Sequence, residues 1–122
     1  MASTCVVDRS KWNCGRTNGE AALLNPEGFM CCLGFYSLQV LGKTTTDILN
    51  QPYPDDPSDT ETLNSAYRTI ARDNDIAPHV IDQADREARL VAAFRREFGC
   101  DLSFVGRLAN TEPPKGTEGG VE

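Results

Sequence analysis

Histidine is almost missing from this chain: His79 is the only one among 122 residues. One histidine cannot furnish a multi-histidine metal centre, and it gives a cysteine or serine nucleophile a single candidate base. That base follows Pro78 in a short linker, a poor place for catalysis. No apolar run approaches the about 20 residues that cross a bilayer, so no membrane association is expected. Met1-Ala2-Ser3-Thr4-Cys5 carries neither the charged nor the apolar stretch of a secretion leader, which predicts a cytoplasmic location. Positive charge is also scarce. Lys and Arg number 12 against 18 Asp and Glu, a net charge of -6, which argues against direct nucleic-acid binding. The P-loop, G-x-G-x-x-G, G-x-S-x-G and H-E-x-x-H patterns do not occur. The chain therefore reads as a non-enzyme with no cofactor and no metal.

What is present is ordinary globular material, 39% hydrophobic, enough for one core. Residues 1–106 read as a single α+β domain. Residues 107–122, with Pro113-Pro114 and Gly119-Gly120 and no apolar periodicity, read as a disordered tail. Thr4-Cys5-Val6-Val7 predicts a strand and residues 9–20 a loop. Asn25-Pro26-Glu27-Gly28 predicts the turn of a β-hairpin over about residues 21–32. Residues 33–41 predict a short buried helix stopped at Gly42. Residues 43–57, which hold Pro52, Pro54 and Pro57, predict a surface loop. Ser58 and Glu61 form an S-x-x-E capping box. Behind it, Leu63, Ala66, Tyr67, Ile70 and Ala71 recur at helical spacing, so a helix is expected over 59–72. A third helix starts after Asp82, carries Ala84, Ala88, Val91, Phe94 and Phe98 on one stripe, and stops at Gly99. Cys100 to Val105 alternates as a half-buried strand. Together these predict a small antiparallel sheet of three to four strands, the last beside the first, with about three helices on one face.

Five cysteines are an odd number. With no leader, reduced thiols packed as small apolar groups are expected. Zinc is disfavoured because sixteen residues separate Cys14 from Cys31, while Cys31 and Cys32 are adjacent and would point to opposite faces of a strand. Two other segments are candidate sites. Arg9, Lys11 and Arg16 cluster around Trp12. Arginine grips phosphate with two parallel hydrogen bonds and tryptophan stacks on a base, so this loop could hold a nucleotide-like ligand. The plainer reading makes Trp12 a plug at the core edge with its charges in water. Asp47, Asp55, Asp56, Asp59 and Glu61 place five acids between residues 44 and 62 with no Lys or Arg among them. That stretch could meet a basic partner, or it could simply be solvated and favour a helix N-terminus. Arg86, Arg89, Arg95 and Arg96 alternate with acids and read as a charged helix surface.

Lys11-Trp12-Asn13-Cys14-Gly15 and Leu23-Leu24-Asn25-Pro26-Glu27-Gly28-Phe29-Met30-Cys31-Cys32-Leu33-Gly34-Phe35 resemble a group of small phage and prophage proteins. These carry (K/R)-W-x-x-G followed by LL-N-x-x-G-x-MCCLGF. The stretch from Asp85 to Phe94, with Gly99 and Phe104-Val105, is similar to their C-terminal helix and strand. The resemblance covers about residues 6–42 and 80–105 and transfers no activity. It implies an accessory gene product in a bacterial host cytoplasm.

Three readings of function follow. The first is stoichiometric inhibition of a host defence or regulatory factor, such as a CRISPR effector, through the acidic surface. The partner would be a host protein, one with a basic nucleic-acid-binding face. The second is capture of a small nucleotide signal at Arg9, Lys11, Trp12 and Arg16. The third is a homo-oligomeric structural or regulatory phage protein.

Overall fold

A computed structural model describes residues 3–53 and 61–108. The chain begins with strand β1 (Ser3–Asp8) and a 3-10 turn (Arg9–Lys11), followed by a long irregular stretch. Four helices come next: α1 (Cys32–Gln39), α2 (Thr45–Ile48), α3 (Glu61–Asp75) and α4 (Gln83–Phe98). Strand β2 (Cys100–Val105) ends the described secondary structure.

The mixed α and β content agrees with the sequence, and the last strand does lie beside the first. The antiparallel sheet of three to four strands does not form. Among the described residues the sheet has two strands, and they run parallel, with Cys5 opposite Leu102 and Val7 opposite Phe104. Parallel partners need a long crossover, and here all four helices provide it. Alternation of apolar residues sets which face of a strand is buried; it carries no information on strand direction.

The predicted hairpin is also replaced. Its turn forms: Gly28 N–H donates to Asn25 O at 3.0 Å, and Asn25 N–H donates to Phe29 O at 2.9 Å. Gly28 takes φ +92°, the left-handed region that favours glycine. The flanks, however, pair with remote segments. Met30 bridges Trp12, and Leu24 bridges Leu49. The loop expected over 43–57 contains the short helix α2. There Thr44 and Asp47 form a reciprocal capping box, and Ile48 is driven into the core. The predicted Ser58–Glu61 box lies outside the described residues, as does the tail beyond residue 108. Leu108 itself packs against the core.

Helix α1 is buried from Cys32 to Ser37. A helix apolar all round is a core helix, and α1 sits between β1 and α3. Helices α3 and α4 pack on each other with one apolar face each. Phe98 stacks on Tyr36 at 4.5 Å between ring centroids and meets Phe94 edge-on at 5.4 Å. Gly99, at φ +62°, ends α4 and turns the chain directly into β2.

The core also contains polar side chains, and each is tied down. Asn74, fully buried, accepts hydrogen bonds at Oδ1 from Trp12 Nε1 (2.7 Å) and Cys32 N–H (3.1 Å). Its Nδ2 donates to Asn13 O and Asp75 Oδ1, both at 2.9 Å. Asn13 and Asn25 fasten the irregular stretch to itself through the carbonyls of Gly19 and Glu20 and of Asn18 and Glu20. These asparagines give the irregular stretch the backbone hydrogen bonds that a sheet would otherwise supply.

Candidate functional site

The basic loop expected around Trp12 does not come together as a ligand site. Trp12 is fully buried, hydrogen-bonded to Asn74, with its ring 5.0 Å from that of Phe104. No face of it is left for a base to stack on. Arg9 is spent on Glu87: its Nε and NH2 donate to the two carboxylate oxygens at 3.0 and 2.7 Å, and NH1 donates to Gly106 O. Its guanidinium also lies 5.5 Å from the centre of the Phe104 ring. Burial works to raise the Glu87 carboxyl, but hydrogen bonds from Arg9 and Gln83 outweigh it and hold the group below its usual range. This fork clips the loop after β1 to α4. Lys11 is exposed and its carbonyl accepts from Met30 N–H.

Of the five acids, Asp47 is exposed and caps α2. Its Oδ2 accepts from Thr44 N–H at 2.9 Å, which with the Thr44 hydroxyl lowers its pKa. Asp55, Asp56 and Asp59 lie outside the described residues, as does the side chain of Glu61. The five thiols are free and buried. Burial pushes Cys5 and Cys31 up to about 12 and raises Cys14, Cys32 and Cys100 as well. Groups held so strongly in the thiol form are poor nucleophiles at neutral pH.

Arg16 goes elsewhere. It stands at φ +58° in the loop after Gly15 and faces α3 across an open groove of about 540 Å³. Arg68 and Arg72, one helical turn apart on α3, also line it, as do Asp75 and Tyr53. The groove continues into a recess of about 190 Å³ that shares Arg16, Tyr53, Ala71 and Asp75 and is walled by Ala21, Ala22 and Pro52. Such volumes suit a small ligand. Among the described residues, none of the three guanidinium groups has an ion-pair or hydrogen-bond partner.

The groove thus gathers three positive charges in a chain whose net charge is negative. One carboxyl offsets them. Burial pushes Asp75 up, outweighing the hydrogen bond from Asn74 and the charges of Arg16 and Arg86. Asp75 Oδ1 is taken by Asn74, whereas Oδ2 has no hydrogen-bond partner among the described residues. A carboxyl with a raised folded pKa binds its proton more tightly in the folded state, so stability falls as pH climbs through the usual carboxylate range toward that pKa. Asp75→Asn is therefore expected to raise the melting temperature at neutral pH. The gain should shrink as pH drops below the carboxylate range. A gain independent of pH in a melting series would contradict this origin.

The sequence held only a weak signal for this groove. Arg68, Arg72 and Asp75 fall on one polar face of α3 and read as a solvated surface, while Arg16 and Tyr53 approach that face from distant segments. Comparison with protein-family models, with curated proteins and with solved structures finds no match.

Proposed function

We propose that this protein acts by stoichiometric binding, and that its contact is an anionic group captured in the groove between Arg16 and α3. One observation carries the reading: Arg16, Arg68 and Arg72 line one cavity without a partner among the described residues. Like charges brought together cost free energy unless something negative answers them, and Asp75 answers only one. Arginine also suits the task, because its planar fork pairs with phosphate or carboxylate oxygens two at a time. The accessory role implied by the phage resemblance fits a protein that sequesters its target without turning it over.

Inorganic tripolyphosphate is the simplest probe. A ligand that binds only the folded state raises the melting temperature by mass action. Millimolar tripolyphosphate should do so at low ionic strength, and the rise should fade with added salt. The double substitution Arg68→Ser/Arg72→Ser should abolish the rise without lowering the melting temperature of the free protein, since neither side chain has an ion-pair or hydrogen-bond partner among the described residues. Absence of any rise in the unsubstituted chain rejects the reading.

A further inference from the structure

We infer that the occupant of the groove is a nucleoside polyphosphate, its phosphates on Arg16, Arg68 and Arg72 and its base in the recess beside Tyr53. This rests on the anion-binding reading and specifies the ligand. The cavity has two chemically distinct halves. The outer half is basic, with Arg68 and Arg72 about 6 Å apart along the helix axis. A chain of phosphates offers each guanidinium its own oxygens, which a single carboxylate does not.

The inner half is different. Ala21, Ala22, Cys31 and Pro52 line only this half and add small apolar surface to Arg16, Tyr53, Ala71 and Asp75, which line both. Small apolar side chains beside an aromatic ring suit a base, which stacks on aromatic side chains. Asp75 lines both halves, and it is the one carboxylate among the residues that line them. Its Oδ2 accepts no hydrogen bond among the described residues. A purely anionic ligand would be repelled by it, whereas a ligand with a sugar hydroxyl or an exocyclic amine close to its phosphates would donate to it. Phosphate chain, ring and adjacent donor occur together in a nucleotide.

Calorimetric titration of the full chain with ATP, GTP, CTP and UTP, each against tripolyphosphate, tests this. At least one nucleotide should bind about tenfold or more tighter than tripolyphosphate, the scale of one good added contact. Asp75→Asn should tighten tripolyphosphate binding by removing the repulsion while narrowing the nucleotide's advantage. Tyr53→Leu, which keeps bulk but removes the ring, should lower nucleotide affinity and leave tripolyphosphate unchanged; its melting temperature confirms that it is folded. Arg68→Ser/Arg72→Ser should weaken both ligands. Equal affinity for all four nucleotides and tripolyphosphate overturns the nucleotide assignment and leaves the arginine groove standing. Parallel losses for both ligands in Tyr53→Leu also overturn it, since Tyr53 would then only shape the groove. No binding by any of these ligands removes the anion reading itself.

Discussion

Gly34→Ala is expected to destabilise the protein by about 3 kcal/mol or more, the upper range for forcing atoms into a packed core. Helix propensity alone predicts the opposite sign. Gly34 lies inside α1, and alanine normally gains about 1 kcal/mol over glycine in a helix. The structure reverses this because α1 is pressed against the chain before it. A Cβ on Gly34 would overlap the Leu23 carbonyl oxygen and would stand 2.9 Å from Met30 Cβ. The obstacle is backbone, which cannot swing aside as a side chain can. Leu23 is itself fixed, since its N–H donates to Gln51 O at 2.8 Å. Gly42 is the matched control. It needs its glycine for φ +72°, but a Cβ there meets nothing within 4 Å. Gly42→Ala should therefore cost only about 1 kcal/mol, from backbone strain. Chemical denaturation of both variants measures the contrast, and a Gly34→Ala protein as stable as the parent would refute the close approach.

Arg86→Met is expected to cost about 3 kcal/mol or more, because it removes the donor to several buried backbone carbonyls. Arg86 is fully buried, although its position amid charged residues on α4 gives it the look of a surface arginine. Its NH1 donates to Asp73 O and Asn74 O, both at 2.9 Å, its NH2 to Ile76 O, and its Nε to Gln83 Oε1. Those carbonyls belong to the end of α3, where the last turn has no backbone donors of its own and the helix dipole is negative. One side chain of α4 thus caps its neighbouring helix. Methionine would fill much of the volume but leave the Asp73 and Ile76 carbonyls without this donor, while Asn74 O keeps the Gly15 N–H at 2.8 Å. Lysine keeps the charge but lacks the fork, so Arg86→Lys should fall between. Arg89 is the comparison: its contact with Asp73 is 3.8 Å and largely exposed, and Arg89→Ala should cost under about 1 kcal/mol. Equal losses for Arg86→Met and Arg89→Ala in urea titrations would show that the capping contacts contribute nothing beyond surface charge.

Both cases mark where the sequence stops being legible. Arg86, Arg89, Arg95 and Arg96 look alike in one dimension. Only the end of α3 arriving over α4 separates the buried one from the others. Trp12 shows the converse. A tryptophan among basic residues fits both a ligand platform and a core plug, and Asn74, 62 positions away, decides for the core by accepting its indole N–H.

Local signals are legible where the determining interaction is local. The extent of α4 follows from its apolar stripe and its stop from Gly99 at φ +62°, both local signals, although Asp82 at the N-cap makes no side-chain capping bond. The turn at Asn25–Gly28 follows from its own four residues. The capping of α2 by Thr44 and Asp47 is equally local, but the nearby prolines masked it. Strand direction, the partners of residues 23–31, the burial of Arg86 and the assembly of Arg16, Tyr53, Arg68, Arg72 and Asp75 depend on segments far apart in the chain. Within the chain itself lay β1, α1, α3, α4 and β2 and the apolar faces of α3 and α4, because capping and side-chain periodicity act over a few residues. Only the tertiary structure decided which charges are buried, which are answered and which face an open groove, because that depends on what packs across from them.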